Sequence, residues 1–147
     1  MERSYPTEPQ PPFVIDCIDH VLVIVGGMDG ALRFYEGVLG CGVESRLPQY
    51  GMVELRAGTS HIDLVDANVA EGSWAKPAVA GDRNVHHVAL RLGHVSEKAL
   101  RDYLSAQGVS ILEERVEDDD NVSFYVADPS GNTIELIAAK VGRTKTD

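Results

Sequence analysis

Hydrophobic and polar positions follow two rhythms along this chain, and each rhythm recurs. Residues 13–25 are rich in β-branched side chains and read as a strand that ends at Gly26-Gly27. Leu32, Phe34, Tyr35, Val38 and Leu39 then give one apolar face to a helix predicted over 30–39, with Asp29 as its cap and Gly40 as its stop. Short strands are predicted near 42–47, 51–57 and 60–66, with breaks at Pro48 and Gly58, before a loop over 67–83. The order then starts again with a strand over 85–92. A helix follows over 97–107, capped by Ser96, stopped by Gly108, and carrying Ala99, Leu100, Tyr103 and Leu104 as its apolar positions. Strands near 109–116, 122–127 and 132–139 complete the second half, the last two joined by an Asp128-Pro129-Ser130-Gly131 turn.

The recurrence extends to residue identity. His20-Val21 matches His87-Val88, Ala31-Leu32-Arg33-Phe34-Tyr35 matches Ala99-Leu100-Arg101-Asp102-Tyr103, Gly40 matches Gly108, and Ile62-Asp63-Leu64 matches Ile134-Glu135-Leu136. The spacing between matches is nearly constant through the helix and lengthens in the later loops. Each half therefore reads strand, helix, three strands. The predicted fold class is α+β: two tandem βαβββ modules at 14–72 and 83–139, joined by a linker at 73–82. A Pro-rich, extended or disordered lead-in occupies 1–13, and a polar tail occupies 140–147. Neither half alone buries both faces of its sheet, so the two share an interface.

Composition narrows the function. A chain of 147 residues is one domain or two fused small modules, and 44% hydrophobic with 24% charged residues excludes wholesale disorder. Thirteen basic against 23 acidic residues leave a charge of −10, which disfavours nucleic acid and tolerates a cation or a divalent metal. Cys17 and Cys41 lack metal or scaffold spacing and read as reduced, buried thiols. The longest apolar run, Val21 to Val25, is too short to span a bilayer, and residues 1–12 lack a secretory pattern. A soluble, cytoplasmic protein with no membrane partner is expected.

Strand alternation selects the candidate chemistry. With Ile62 and Leu64 beneath the helix, His61, Asp63 and Val65 face the other way, and Glu135 likewise opposes Ile134 and Leu136. His20 opposes Val21 and Val23, and His87 opposes Val88 and Leu90. Each module thus offers one imidazole on its first strand and one carboxylate on its last, all four directed to the concavity between modules. Such a set suits a borderline divalent ion, one of Ni, Mn, Fe, Co or Zn. The competing account of the same residues is a structural hydrogen-bond cluster.

Ile18-Asp19-His20-Val21, Phe34-Tyr35 with Val38-Leu39-Gly40, His86-His87-Val88-Ala89-Leu90, and Asp128-Pro129-Ser130-Gly131-Asn132 with Ile134-Glu135-Leu136 together resemble the vicinal oxygen chelate superfamily. That superfamily includes glyoxalase I, methylmalonyl-CoA epimerase, extradiol dioxygenases, fosfomycin-modifying enzymes and bleomycin-binding proteins. The resemblance covers nearly all of 14–139 and implies paired modules, related by a pseudo-twofold, forming a cup around one metal. It places the metal ligands on His20, Asp63, His87 and Glu135. Asp63 stands where relatives have Glu or Gln, so its reach is one methylene shorter.

Four protein ligands leave an octahedral ion two positions for a substrate with vicinal oxygens, which favours a lyase or isomerase. Three ligands leave room for an extradiol-type dioxygenase. A metal-free, ligand-sequestering protein of the bleomycin-resistance kind is a further alternative. Family relatives use the C-terminal Glu as ligand and base, which makes Glu135 the candidate catalytic residue. The basic residues and loop pattern expected around the glutathione pocket of glyoxalase I are not found, and Gln49 stands where the epimerase has an acidic base. Substrate contacts are expected from His61, Arg91, Glu54 and Arg56. His86 is expected to face away from His87, Trp74 to cover the cup or pack a dimer, and Asp118-Asp119-Asp120 to form a solvated loop. The resemblance also implies a homodimer binding a small-molecule substrate.

Overall fold

The computed structural model describes residues 17–76, 85–116 and 118–140. The lead-in at 1–13, the linker beyond residue 76 up to 82, and the tail beyond 140 lie outside the described residues. In the first module β1 (His20–Val25) runs parallel to β4 (Ser60–Asp66), β4 pairs antiparallel with β3 (Met52–Ala57), and β3 with β2 (Gly42–Leu47). In the second, β5 (Val88–Arg91) runs parallel to β8 (Thr133–Ala139), followed by β7 (Asn121–Ala127) and β6 (Ile111–Val116). Two four-stranded sheets with the same strand order result. Even an irregularity repeats: the register shifts between Val43 and Ser45 in β2 and between Ile111 and Glu113 in β6. The predicted α+β repeat is therefore the fold.

Helix α1 (Met28–Leu32) and its continuation as a wider π-helical turn (Arg33–Val38) connect β1 to β2, and α2 (Glu97–Ala106) connects β5 to β6. Ser96 caps α2 as its position predicts, accepting the Ala99 N–H at 3.1 Å. The first helix departs from expectation. It begins before Asp29, because its first N–H groups bond across the chain. The carboxylate of Asp66, at the end of β4, accepts from Gly27 N and Met28 N, each at 3.0 Å, and from Asn68 N. The π-helical winding accompanies the burial of two consecutive aromatics, Phe34 and Tyr35.

Of the strand predicted over 13–25, residues 13–16 lie outside the described residues, and β1 starts only at His20, after Cys17, Ile18 and Asp19. A parallel strand extends only as far as its partner, and His20 pairs with His61 near the beginning of β4. Cys41 is buried as expected, but Cys17, which precedes β1, is exposed among the described residues. Part of the loop predicted over 67–83 winds into a 3₁₀ helix (Ala70–Ala75). Among the described residues no helix is long and apolar enough to cross a membrane.

Leu55, Leu64, Leu104, Phe124, Ile134 and Leu136 sit in one apolar cluster drawn from both modules. The Asp128–Asn132 turn locks the modules together. Asp128 is buried and accepts the Tyr35 hydroxyl at 2.9 Å, while Ser130 Oγ accepts from Gly26 N and Asn132 Nδ2 donates to Ile24 O. On the helix side, the Tyr103 hydroxyl donates to Val38 O.

Asp66 has a measurable consequence. Burial alone would raise its pKa, but three backbone N–H donors outweigh burial and hold it below the ordinary 3.8. A depressed carboxylate stabilises the fold above its unfolded pKa, and that contribution is lost as pH falls through the folded value. Asp66→Asn is expected to lower the melting temperature at pH 7 and to flatten its decline between about pH 5 and 3. A variant curve parallel to wild type over that window would remove Asp66 from the acid response.

Candidate functional site

The β1–β4 register sets His20 opposite His61 and Leu22 opposite Asp63, so these four share the sheet face turned away from the apolar cluster. His20 Nε2 lies 3.7 Å from Asp63 Oδ2, and its Nδ1 lies 2.7 Å from Asp19 Oδ1. The Asp19 hydrogen bond, followed by the charge of Asp63, raises the pKa of His20 above its ordinary 6.5. Burial raises that of Asp63, against the pull of His20.

The equivalent pair in the second module is closer. His87, immediately before β5, places Nε2 2.9 Å from Glu135 Oε2, and Glu135 Oε1 accepts the Ser123 hydroxyl at 2.6 Å. Glu135 is buried, and so is Ser123. Tyr125 meets the His87 ring edge-on at 5.7 Å, and the Arg115 guanidinium lies over Tyr125. The shorter aspartate predicted to reach less far is the member of the looser pair.

The four predicted ligands therefore form two imidazole–carboxylate pairs, one per sheet. The pairs do not merge within the chain: among the described residues no three His, Cys, Asp or Glu side chains converge to hold one ion.

The remaining predicted residues divide. His61 Nε2 donates to Glu44 Oε2 at 2.6 Å, and Arg56 pairs with the other oxygen of Glu44. These two contacts hold the Glu44 carboxyl below its usual range, the His61 hydrogen bond contributing most. Glu54 stands opposite Asp63 on the same face. Arg91 reaches Asn121 Oδ1 at 3.1 Å. His86 does not point away from His87, as alternation predicts. The two Nδ1 atoms are 2.9 Å apart, because residues 85–87 precede the strand and escape its alternation. Trp74 is exposed and donates to Tyr50 O at 3.1 Å. The Asp118–Asp120 loop is exposed and closed by Asp118, which accepts from Asp120 N and Asn121 N.

Sequence reasoning passed over Ser123, Tyr125 and Glu44. Ser123 and Tyr125 lie on the same face of β7 as Glu135 on β8, a relation readable from alternation once the β7–β8 pairing is known. Glu44 was hidden by the bulge in β2, which breaks the alternation at that residue.

Solved structures align over most of the chain. A Bacillus anthracis protein assigned to the glyoxalase family has a TM-score of 0.67 and 22% identity, covering 87% of this chain and 98% of its own. A glyoxalase/bleomycin resistance protein/dioxygenase from Nocardioides has a TM-score of 0.63 at 18% identity, covering 92% and 91%. A lactoylglutathione lyase from Agrobacterium tumefaciens gives 0.60 at 20% identity, covering 90% and 96%. At these identities the likeness is one of fold. No curated protein matches the chain. The model of the Glyoxalase/Bleomycin resistance protein/Dioxygenase superfamily matches residues 17–136, and the chain belongs to that superfamily.

Proposed function

We propose that this protein is a metal-dependent lyase or isomerase acting on a small substrate that chelates through vicinal oxygens. In this reading it works as a homodimer, in which His20 and Asp63 of one copy face His87 and Glu135 of the other. The observation that supports it is the repeat-equivalent pairing itself. Two imidazoles each lie against a buried carboxylate on the same side of equivalent sheets. Buried carboxylates are costly unless paired or metal-bound. The donor set fits Ni, Mn, Fe, Co or Zn in kind. Each chain offers it as separated halves, so a second copy supplies the number.

A bound divalent ion would contribute positive charge that polarises the substrate carbonyl. Glu135 is the proton carrier in this scheme. Oε2 is the atom that removes or returns the proton beside that carbonyl, while the Ser123 hydroxyl fixes the carboxylate through Oε1. Tyr125 restrains the His87 ring, and His86 orients it through Nδ1. His61, Glu54, Arg56 and Arg91 are the residues left to contact substrate.

The test is thermal denaturation of chelator-stripped protein. Ni, Mn or Co at a hundredfold excess over Kd stabilises by about 2.7 kcal/mol. His87→Ala and Glu135→Ala are expected to abolish the rise in melting temperature. Asp63→Ala should weaken it less, and His86→Ala less again, because His86 touches only the far side of the His87 ring. Acidification should erode the rise, since the raised pKa values of His20 and Asp63 make the ion compete with protons. Absence of any rise with all three ions sinks the metal reading and leaves the sequestering one.

A further inference from the structure

We propose that Asp19 is the positioning residue of His20: its carboxylate fixes the imidazole so that Nε2 is offered to a divalent ion, a role that rests on the metal reading of the His20–Asp63 pair. An ionised carboxylate only accepts hydrogen bonds, so the 2.7 Å contact between His20 Nδ1 and Asp19 Oδ1 places the ring proton on Nδ1. The other nitrogen of the neutral ring, Nε2, then keeps its lone pair. It is also the nitrogen nearer Asp63 Oδ2, at 3.7 Å, which is too long for a hydrogen bond. A lone pair and a carboxylate oxygen side by side, with no proton shared between them, suit two ligands of one cation.

The backbone gives Asp19 a firm mount. Its carbonyl accepts the His61 N–H at 3.3 Å, which carries the β1–β4 pairing one residue ahead of His20. The Asp19 side chain is 89% exposed, so it adds nothing to the core and its one charge-assisted contact is the ring. The arrangement also recurs in the second module. His86 precedes His87 as Asp19 precedes His20, and His86 Nδ1 lies 2.9 Å from His87 Nδ1. In both modules the preceding residue engages Nδ1, and Nε2 is left toward the carboxylate of that module. The two mounts differ in charge. A carboxylate on Nδ1–H strengthens an imidazole as a metal ligand, and His86 brings no negative charge to its partner. Removal of Asp19 should therefore cost more metal affinity than removal of His86.

Two measurements on the full chain test this. The first uses metal-free protein at about pH 8.5, well above the usual imidazole pKa. There the ring nitrogen chemical shifts of His20 should report the proton on Nδ1, and Asp19→Ala should move it largely to Nε2. The second is nickel affinity at the same pH, read by competition with a colorimetric chelator. Asp19→Ala should weaken it roughly 10- to 100-fold. Asp19→Asn should weaken it less, because the amide oxygen still accepts from Nδ1. The melting temperature of the metal-free protein should not change in either variant. A His20 tautomer indifferent to Asp19, or equal nickel losses in Asp19→Ala and Asp19→Asn, would overturn the positioning role. Wild-type protein that shows the Nδ1 tautomer and its dependence on Asp19 but binds no nickel would instead overturn the metal reading, and the offering of Nε2 to an ion with it.

Discussion

Asp128→Ala is expected to lower the melting temperature by roughly 10–15 °C, through a loss of about 3–5 kcal/mol. Asp128 is 4% exposed and its carboxylate serves four donors at once: the Tyr35 hydroxyl, Ser130 N, Asn132 N and Asn132 Nδ2. Truncation leaves these groups facing an apolar methyl. The Tyr35 hydroxyl suffers most, because Tyr35 is fully buried and water has no route to it. Tyr35→Phe keeps the ring volume and removes only one donor, so it should cost about 1.5–3 kcal/mol, the ordinary worth of a hydrogen bond to a charged group. In the Asp128→Ala background the same change should cost much less, since the orphaned hydroxyl goes with it. The resulting coupling, read from chemical denaturation of the four proteins, measures the inter-module bond itself. Additive losses would mean that Tyr35 and Asp128 act independently, and that the turn does not hold the modules through this contact.

Periodicity carried the sequence reading far because the fold repeats. A strand of alternating residues is ambiguous in one copy, but the Ile-acidic-Leu triplet at 62–64 and 134–136 fixes the same register twice, and the structure pairs both triplets with a parallel first strand. Placement of Asp63 and Glu135 beside imidazoles followed from that register alone. Where reasoning failed, the cause was long-range or irregular. The helix start depended on Asp66, 38 residues from Met28, whose carboxylate replaces a local cap. Glu44 was concealed by a bulge that no residue type announces. His86 was assigned a face by extending strand alternation into residues that lack it. Separation of the two pairs lies beyond a single sequence: periodicity says which face a side chain takes, not which sheet that face opposes.

Mixing two defective chains should restore metal binding that neither possesses. If each site takes His20 and Asp63 from one copy and His87 and Glu135 from the other, a His20→Ala homodimer lacks an imidazole in both sites. A Glu135→Ala homodimer lacks a carboxylate in both. In a mixed dimer the two lesions fall together in one site, and the other site is intact. Random pairing after joint unfolding and refolding of equal amounts should therefore recover about a quarter of the wild-type sites, as the twofold symmetry of an isologous dimer requires. Nickel retained by protein after gel filtration reads the result directly. Sites built within one chain would show no recovery at any mixing ratio, because every chain carries one lesion. The separation of the two pairs within the chain favours recovery: each module holds its imidazole against its own carboxylate, at 3.7 Å in the first and 2.9 Å in the second, and the described residues offer no third donor to either.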